Sequence, residues 1–359
     1  MLKNIFRQIH LWLSVPFGLI VIITCLSGAI LIFDRDFGHI GQAEVDCNGL
    51  TALPMDSILS SAQQYLGDNN RIVGVTTYPD SRHAYKVILA KPAMAAIWVN
   101  QYTGEVIGKY DRPAIFKWAS AAHRRLFGKS KPEGAFGAKA GKLAIGITTI
   151  ALLLIIISGL IIWLPGKGQI KKKFTISISK GTYRFWYDFH CVGGAISALV
   201  IIVCILTGLN WSFGWYRKAF YGTFGTEVAK SASHKTPAEN FPAWTNAYSQ
   251  LYEKHSDQEI RMYQNEADIV VGGSGNQQAT DTYEINPANG EITSVTLYKD
   301  KAESNHIKGW IYSLHVGSWL GWFTKIIYMI CLLIGAILPI TGYYLWIKRL
   351  ILKKWHSAS

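Results

Sequence analysis

The sequence predicts an α-helical membrane protein with four transmembrane helices in two pseudo-repeats, plus two small α+β domains outside the membrane. Half of the 359 residues are apolar, and four apolar stretches are long enough to cross a bilayer. Each stretch supplies about 20 residues, which at a rise of about 1.5 Å per residue covers the roughly 30 Å hydrocarbon layer. The same spacings of His, Trp and Gly occur in both halves of the chain, which indicates a duplication.

The transmembrane helices are predicted at 11–33, 143–164, 191–213 and 325–347. Acidic and basic residues are absent from the central part of each, which disfavours an ion carrier built on buried carboxylates. The first apolar run is too long for the core of a signal peptide, so we expect it to remain as an anchor. Basic residues cluster before the first helix, between the second and third, and after the fourth, and the positive-inside bias therefore places both termini in the bacterial cytoplasm. These residues are Lys3, Arg7, Lys167, Lys171, Lys172, Lys173, Lys180, Arg184, Lys348, Arg349, Lys353 and Lys354.

With helices in the inner membrane, this topology fixes which segments lie outside. One basic run, at 124–142, falls on the outer side against the bias, but long loops translocate with little regard to charge. The net charge of +13 lies largely in clusters beside the membrane, where basic residues contact anionic lipid headgroups. Nucleic-acid binding is therefore disfavoured, and the lipid bilayer is the expected partner.

The chain divides into a first helix (1–33), an outer segment with a connector (34–142), a second helix (143–164), a cytoplasmic loop (165–190), a third helix (191–213), a second outer segment (214–324), and a fourth helix with a cytoplasmic tail (325–359).

Four histidines stand at matching positions in the two halves. His10 and His190 each begin an apolar run and precede the Gly of a Ser-Gly or Thr-Gly pair by eighteen positions. His123 and His315 each follow a Trp by five positions and precede another apolar run. The residues at these offsets are Gly28, Gly208, Trp118 and Trp310, and Lys142 and Lys325 likewise precede Gly159 and Gly342 by seventeen positions.

Each outer segment is predicted to fold as a helix packed on a small antiparallel sheet. In the first, residues 51–66 show helical spacing, and RIVGVTTYP, AYKVILA and AAIWVNQYTGEVIG are typical of short strands. The second repeats this order with FPAWTNAYSQLYEKH as helix and EIRMYQ, DIVVGGSG and DTYEINPANGEIT as strands. YTGE at 102–105 and ANGE at 288–291 occupy equivalent turns, where Gly permits a positive φ.

Through WVNQYTGEVIG, YEINPANGEI, the AHRRLFG run at 122–128 and the four apolar helices, nearly the whole chain resembles the PepSY-associated transmembrane proteins. That family includes inner-membrane reductases of iron–siderophore uptake. The resemblance implies PepSY-like domains on the periplasmic side, two haems, and electron transfer across the membrane. It leaves the substrate open.

The topology sorts the histidines into two pairs, His10 with His190 at the cytoplasmic face and His123 with His315 at the outer face. A low-spin b-type haem takes an imidazole on each side of its iron, and facing helices supply such pairs. The five cysteines form no CxxCH motif for covalent haem attachment. We therefore predict two b-type haems with these four histidines as axial ligands of the iron, and assign no catalytic residue. For any one histidine alone, a hydrogen bond to lipid headgroups remains an alternative.

Glycines near these histidines leave two questions open. Gly18, Gly193 and Gly194 either make room for a porphyrin or allow close helix packing. A continuous helix from His315 to Lys348 is longer than a bilayer requires, so either the outer haem lies at the interface, which we favour, or glycines at 317 and 321 interrupt the helix. The other histidines have no repeat partner and are expected on the surface, with His39 the best spare ligand; they are His39, His83, His234, His255, His306 and His356.

Two functions follow from these observations. The chain lacks GxGxxG, P-loop, HExxH and GxSxG motifs, so nucleotide-dependent, zinc-protease and serine-hydrolase functions are disfavoured, and electrons must come from a quinol or a cytoplasmic flavoprotein. The first hypothesis is a di-haem oxidoreductase that passes electrons from the cytoplasmic side to a periplasmic ferric complex, such as a ferric siderophore, for iron release. The alternative is a haem-free membrane anchor whose PepSY-like domains bind a peptide, protease or assembly partner.

Overall fold

A computed structural model describes residues 2–37, 44–47, 49–92, 95–128, 137–164, 173–229 and 236–358, with side chains up to 351. The expectations for His39, His234, Lys129, Lys131, Lys167, Lys171, Lys172 and the side chains of Lys353, Lys354 and His356 lie outside the described residues. In chain order the helices are α1 (Leu2–Leu31), α2 (Asp34–Phe37), α3 (Met55–Leu66), α4 (Ala114–Arg125), α5 (Ala138–Trp163), α6 (Thr182–Ser212), α7 (Gly214–Gly222), α8 (Phe241–His255), α9 (Glu303–His315) and α10 (Trp322–Ala358). The strands are β1 (Ile72–Thr77), β2 (Tyr85–Leu89), β3 (Ala96–Val99), β4 (Val106–Lys109), β5 (Ile260–Tyr263), β6 (Glu266–Val270), β7 (Thr280–Ile285) and β8 (Ile292–Thr296).

The described residues form two compact units. A helical unit lies within 1–35, 114–227 and 311–359, and a sheet unit lies within 36–113 and 228–310. The apolar helices therefore assemble with one another although two long polar segments separate them in sequence.

The four predicted transmembrane helices are confirmed as α1, α5, α6 and the apolar part of α10, each long and apolar enough to span a bilayer. The chain is a multi-pass membrane protein. All four helices begin between three and nine residues before the predicted apolar boundaries, for example α1 at Leu2, α6 at Thr182 and α10 at Trp322. Their polar and aromatic first turns extend the helices because every backbone group near a bilayer needs an internal hydrogen-bond partner.

The four spanning helices form a closed ring. α1 packs against both α5 and α10, and α6 packs against the same two helices, so α1 and α6 lie diagonally opposite each other. Small and apolar side chains fill the interior, including Cys25 and Ala29 of α1 with Leu332 and Ala336 of α10. This arrangement leaves the inward faces of α1 and α6 directed at the same central space.

A short helix precedes each of α5 and α10. α4 packs on α1 and α5 and ends at Arg125, after which Leu126 and Phe127 adopt positive φ. α9 ends at His315, and Gly317 and Gly321 adopt φ values of 66° and 61° before α10 begins. Of the two alternatives for the segment from His315 to Lys348, the structure has the interrupted helix, because glycine enters the left-handed region without steric cost.

The sheet unit contains one antiparallel sheet of eight strands in the order β4-β3-β2-β1-β5-β6-β7-β8. The sequence predicts a small sheet for each outer segment, and in the structure the strands of both segments form this single sheet. β1 of the first segment pairs with β5 of the second, with Val75 opposite Met262. This pairing satisfies two strand edges that separate domains would leave open. α3 and α8 also pack together, and Leu59 and Leu251 share one apolar core with the central strands.

The helices, strands and turns predicted within each outer segment are present. The turns between β3 and β4 and between β7 and β8 carry Gly104 and Gly290, with φ values of 74° and 76°. Each of these glycines donates its N–H to a carbonyl four residues earlier, at Asn100 and Asn286 respectively. The two hairpins therefore have the same local construction.

Candidate functional site: two histidine pairs

The first histidine pair joins the diagonal helices of the ring. His10 lies on α1 and His190 on α6, and their ring centroids are 6.2 Å apart with the ring planes at 84°. Each histidine is the ninth residue of its helix, so the pair lies towards one end of the bundle.

The second pair lies on the two short helices. His123 is on α4 and His315 on α9, with ring centroids 6.1 Å apart and ring planes at 64°. His123 contacts α1 near Gly28, eighteen residues beyond His10. At about 1.5 Å per residue, the two pairs are separated by roughly 25 Å along α1.

Both separations suit two imidazoles that share one metal ion. A metal about 2 Å from each of two opposed imidazole nitrogens holds the ring centroids about 6 Å apart. Among the described residues no group of three or more His, Cys, Asp or Glu is placed to hold a metal ion. Two imidazole nitrogens at each pair would suit an iron whose remaining ligands come from a macrocycle, as in a haem.

Each ring of the first pair is held by a Ser or Thr that precedes a glycine. Nδ1 of His10 lies 3.0 Å from the carbonyl oxygen of Ile155 and 3.3 Å from the hydroxyl of Ser158. Nδ1 of His190 lies 2.8 Å from the hydroxyl of Thr341. Ser158 precedes Gly159 on α5, and Thr341 precedes Gly342 on α10.

The second pair is held in the same way. Nδ1 of His123 lies 3.0 Å from the carbonyl oxygen of Thr24 and 3.3 Å from the hydroxyl of Ser27. Nδ1 of His315 lies 3.1 Å from the carbonyl oxygen of Cys204 and 2.9 Å from the hydroxyl of Thr207. Ser27 precedes Gly28 on α1, and Thr207 precedes Gly208 on α6.

We call the Ser or Thr hydroxyl, the glycine after it and the carbonyl four residues before that glycine a cradle. The hydroxyls of the cradles donate to carbonyls of their own helices, for example Ser27 to Ile23 at 2.6 Å and Thr207 to Val203 at 2.6 Å. A hydroxyl that has used its hydrogen can only accept from the histidine. Nδ1 is therefore the protonated nitrogen of each ring, and Nε2 carries the free lone pair that a metal requires.

The glycine of each cradle lets the ring approach the helix backbone. A Cβ atom at Gly159 would lie 3.0 Å from Cε1 of His10, and one at Gly208 would lie 3.1 Å from Cε1 of His315. The corresponding distances are 3.2 Å from Gly28 to His123 and 3.5 Å from Gly342 to His190. A side chain at three of these positions would push the imidazole away from its carbonyl.

Comparison with known protein families finds one family model that covers both histidine pairs. The family model described as the PepSY-associated TM region matches residues 7–349, which include all four histidines and all four cradles. The chain belongs to the PepSY-associated TM family. A search of curated proteins finds no match to it.

In this PepSY-associated TM protein both rings of the second pair, His123 and His315, are half-buried. Burial lowers the pKa of His123, and burial together with the neighbouring His123 lowers the pKa of His315 to about 3. Both rings are therefore neutral near pH 7, the form in which Nε2 binds a metal. Trp211 of α6 packs edge-on against His315, with the ring centroids 5.1 Å apart.

Several other residues weighed from the sequence have structural contacts. Gly18 faces the ring of Tyr343, and Gly193 faces Ile334, so both permit close helix packing. Arg184, one of the basic residues between the second and third transmembrane helices, pairs with the buried Asp188 at 2.9 Å.

Three histidines expected on the surface are half-buried in the sheet unit. His83 packs on Tyr78 at 4.2 Å, His255 bonds Tyr283 at 2.7 Å, and His306 packs on Tyr298 at 4.5 Å. These aromatic and hydroxyl partners account for their positions without a metal.

The role of the Ser/Thr-Gly pairs was not recognised from the sequence. Their fourfold recurrence was visible there, but the histidine that each one holds comes from a different helix. The histidine that belongs to each Ser or Thr is identified only by the packing of the helices. In the first half α1 packs on α4 and α5, and in the second half α6 packs on α10.

Proposed function

We propose that this protein is an inner-membrane di-haem oxidoreductase that passes electrons from the cytoplasmic side to a periplasmic ferric complex, such as a ferric siderophore. The observation that carries the proposal is the pair of opposed imidazoles at each end of the bundle, 6.2 and 6.1 Å apart. When bound, a b-type haem at each pair would supply a one-electron iron couple.

The protein's own residues bind and orient under this proposal. His10 and His190 offer Nε2 at one end of the bundle, and His123 and His315 do so at the other. Each cradle fixes the tautomer and rotation of its ring. Apolar side chains pack between the two ends, among them Val21 and Leu332.

The proposed orientation rests on the basic residues around α1, α6 and α10: by the positive-inside bias, the end with His10 and His190 would lie at the cytoplasmic face. The sheet unit is then periplasmic.

The proposed reaction transfers one electron to each ferric ion, which becomes ferrous. A quinol donor would release two electrons and two protons, whereas a flavoprotein would supply electrons from its reduced flavin. Oxygen-donor chelators prefer the harder ferric ion, so reduction loosens the iron.

The cradles also support a duplication of the chain. His10 and His190 are each held by the next spanning helix in sequence, α5 and α10. His123 and His315 are each held by the spanning helix before them, α1 and α6. We infer that residues of α1 to α5 and of α6 to α10 are two copies of one unit.

The optical spectrum tests the proposed function. Full-length protein purified in detergent from haem-replete cells should show the Soret and α bands of low-spin b-type haem, with two haems per chain by pyridine haemochrome assay. A folded but colourless protein would contradict the proposal and favour the haem-free anchor that presents its sheet unit to a partner.

A further inference from the structure

The four cradles differ in one respect that repeats at both ends of the bundle. At each pair, one histidine is held by a serine and the other by a threonine. The serine hydroxyls lie 3.3 Å from Nδ1 of His10 and of His123. The threonine hydroxyls lie 2.8 and 2.9 Å from Nδ1 of His190 and His315.

The shorter distance has a chemical consequence for the ligand. An N–H···O contact near 2.9 Å is at the most frequent distance for such bonds, whereas contacts beyond about 3.2 Å are weaker. A stronger acceptor at Nδ1–H raises the basicity of the imidazole and therefore its donation through Nε2. Greater donation stabilises the ferric over the ferrous state and lowers the reduction potential.

We propose that Thr207 and Thr341 are positioning residues that lower the reduction potential of the two sites, one threonine at each end of the bundle. The inference rests on the proposed function, because it requires an iron at each histidine pair. Ser27 and Ser158 hold the opposite ligands and contribute less to the potential, since their hydroxyls lie farther from Nδ1.

The structure also indicates why the hydroxyl can be removed without losing the ligand. His315 keeps the carbonyl oxygen of Cys204 at 3.1 Å when Thr207 is changed. Valine at residue 207 retains the branched shape of threonine, which fixes χ1 in a helix. The Thr207→Val substitution therefore removes one acceptor while the ring keeps its position.

The test is a spectroelectrochemical titration of the full-length protein, purified in detergent and reconstituted with haemin. Thr207→Val should raise one of the two midpoint potentials and leave the other unchanged, and Thr341→Val should raise the other one. Thr207→Ser and Thr341→Ser, which keep the hydroxyl, should stay near the wild type. Ser27→Ala and Ser158→Ala should give smaller upward shifts at the same two sites.

Two results would overturn this inference and leave the proposed function standing. The first is unchanged midpoint potentials in both valine variants that bind haem. The second is equal shifts of the potential in the valine and serine variants, which would indicate a steric effect. Should one valine variant lose its haem, the other end of the bundle supplies the same comparison. Wild-type protein that binds no haemin would instead defeat the proposed function, and the inference with it, before any potential is measured.

Discussion

Gly159 lies directly against the imidazole of His10, so that a Cβ atom at this residue would be 3.0 Å from Cε1 of the ring. The contact places Nδ1 of His10 within hydrogen-bonding distance of the carbonyl of Ile155. On the opposite ligand of the same pair, Gly342 leaves 3.5 Å to Cε1 of His190. The two cradles of one site therefore tolerate an added methyl group unequally.

We expect Gly159→Ala to disturb the first site and Gly342→Ala to leave it nearly intact. A contact of 3.0 Å forces the ring of His10 to move, whereas 3.5 Å is ordinary van der Waals contact. Loss of an outer-shell contact to a metal-binding histidine typically weakens binding about 10- to 100-fold. Haemin titration should show that loss at one of two sites for Gly159→Ala. Gly222→Ala, where an added Cβ meets no atom within 4 Å, is the control. Equal affinities in all three variants would contradict the role of the cradle.

Single histidine substitutions should assign the two sites separately. His190→Ala removes a proposed ligand at one end of the bundle, and His315→Ala removes a proposed ligand at the other end, roughly 25 Å away along α1. Each variant should lose the low-spin signal of one haem in the electron paramagnetic resonance spectrum and keep the other. Retention of both signals in either variant would exclude that histidine as a ligand, and loss of both would indicate misfolding.

The sequence predicts the histidine pairs well because their positions depend on few variables. Hydropathy determines which residues form the spanning helices, and the distribution of basic residues determines the direction in which each helix crosses the membrane. His10 and His190 then have to lie at the same depth, and the structure places their rings side by side. Whether these rings bind haem stays a prediction.

The contacts that hold the rings were beyond sequence reasoning. The hydroxyl of Ser27 and Nδ1 of His123 belong to residues 96 positions apart. The sequence around one of them does not indicate that the other is its partner. The joining of two predicted domains into one sheet was missed for the same reason. The pairing of β1 with β5 is long-range, while the strand pattern of each segment is satisfied equally by a separate small sheet.

The two equivalent hairpin glycines should differ in their effect on stability. Gly104 and Gly290 both have positive φ, which costs an L-residue about 1–2 kcal/mol. An added Cβ at Gly290 would also collide with the backbone carbonyl of Ala243 on α8, whereas at Gly104 it meets the side chain of Ser61 at 3.2 Å. We therefore expect Gly290→Ala to lower the melting temperature of the sheet unit more than Gly104→Ala does.

Thermal unfolding of the full-length protein, followed by tryptophan fluorescence, measures this difference because Trp98 and Trp244 are buried in the sheet unit. Equal melting temperatures for the two variants would show that α8 yields to the added methyl group.

Electron delivery across the membrane should depend on the site at the far end from the acceptor. Chemically reduced wild-type protein in detergent should be reoxidised by a ferric siderophore, and the ferrous iron should be trapped by ferrozine. In intact membranes His10→Ala should abolish reduction by cytoplasmic donors, because under the proposed function the imidazole of His10 is one of the two ligands at the cytoplasmic end. Dithionite should still reduce the site of His123 and His315 in that variant, since its ligands and cradles lie on α4, α9, α1 near Ser27, and α6 near Thr207. Delivery by His10→Ala membranes at the wild-type rate would exclude a transmembrane relay and leave a protein active at its outer site alone. If the reduced wild type stayed reduced with every ferric chelate, the siderophore substrate would be excluded and another electron acceptor would have to be sought.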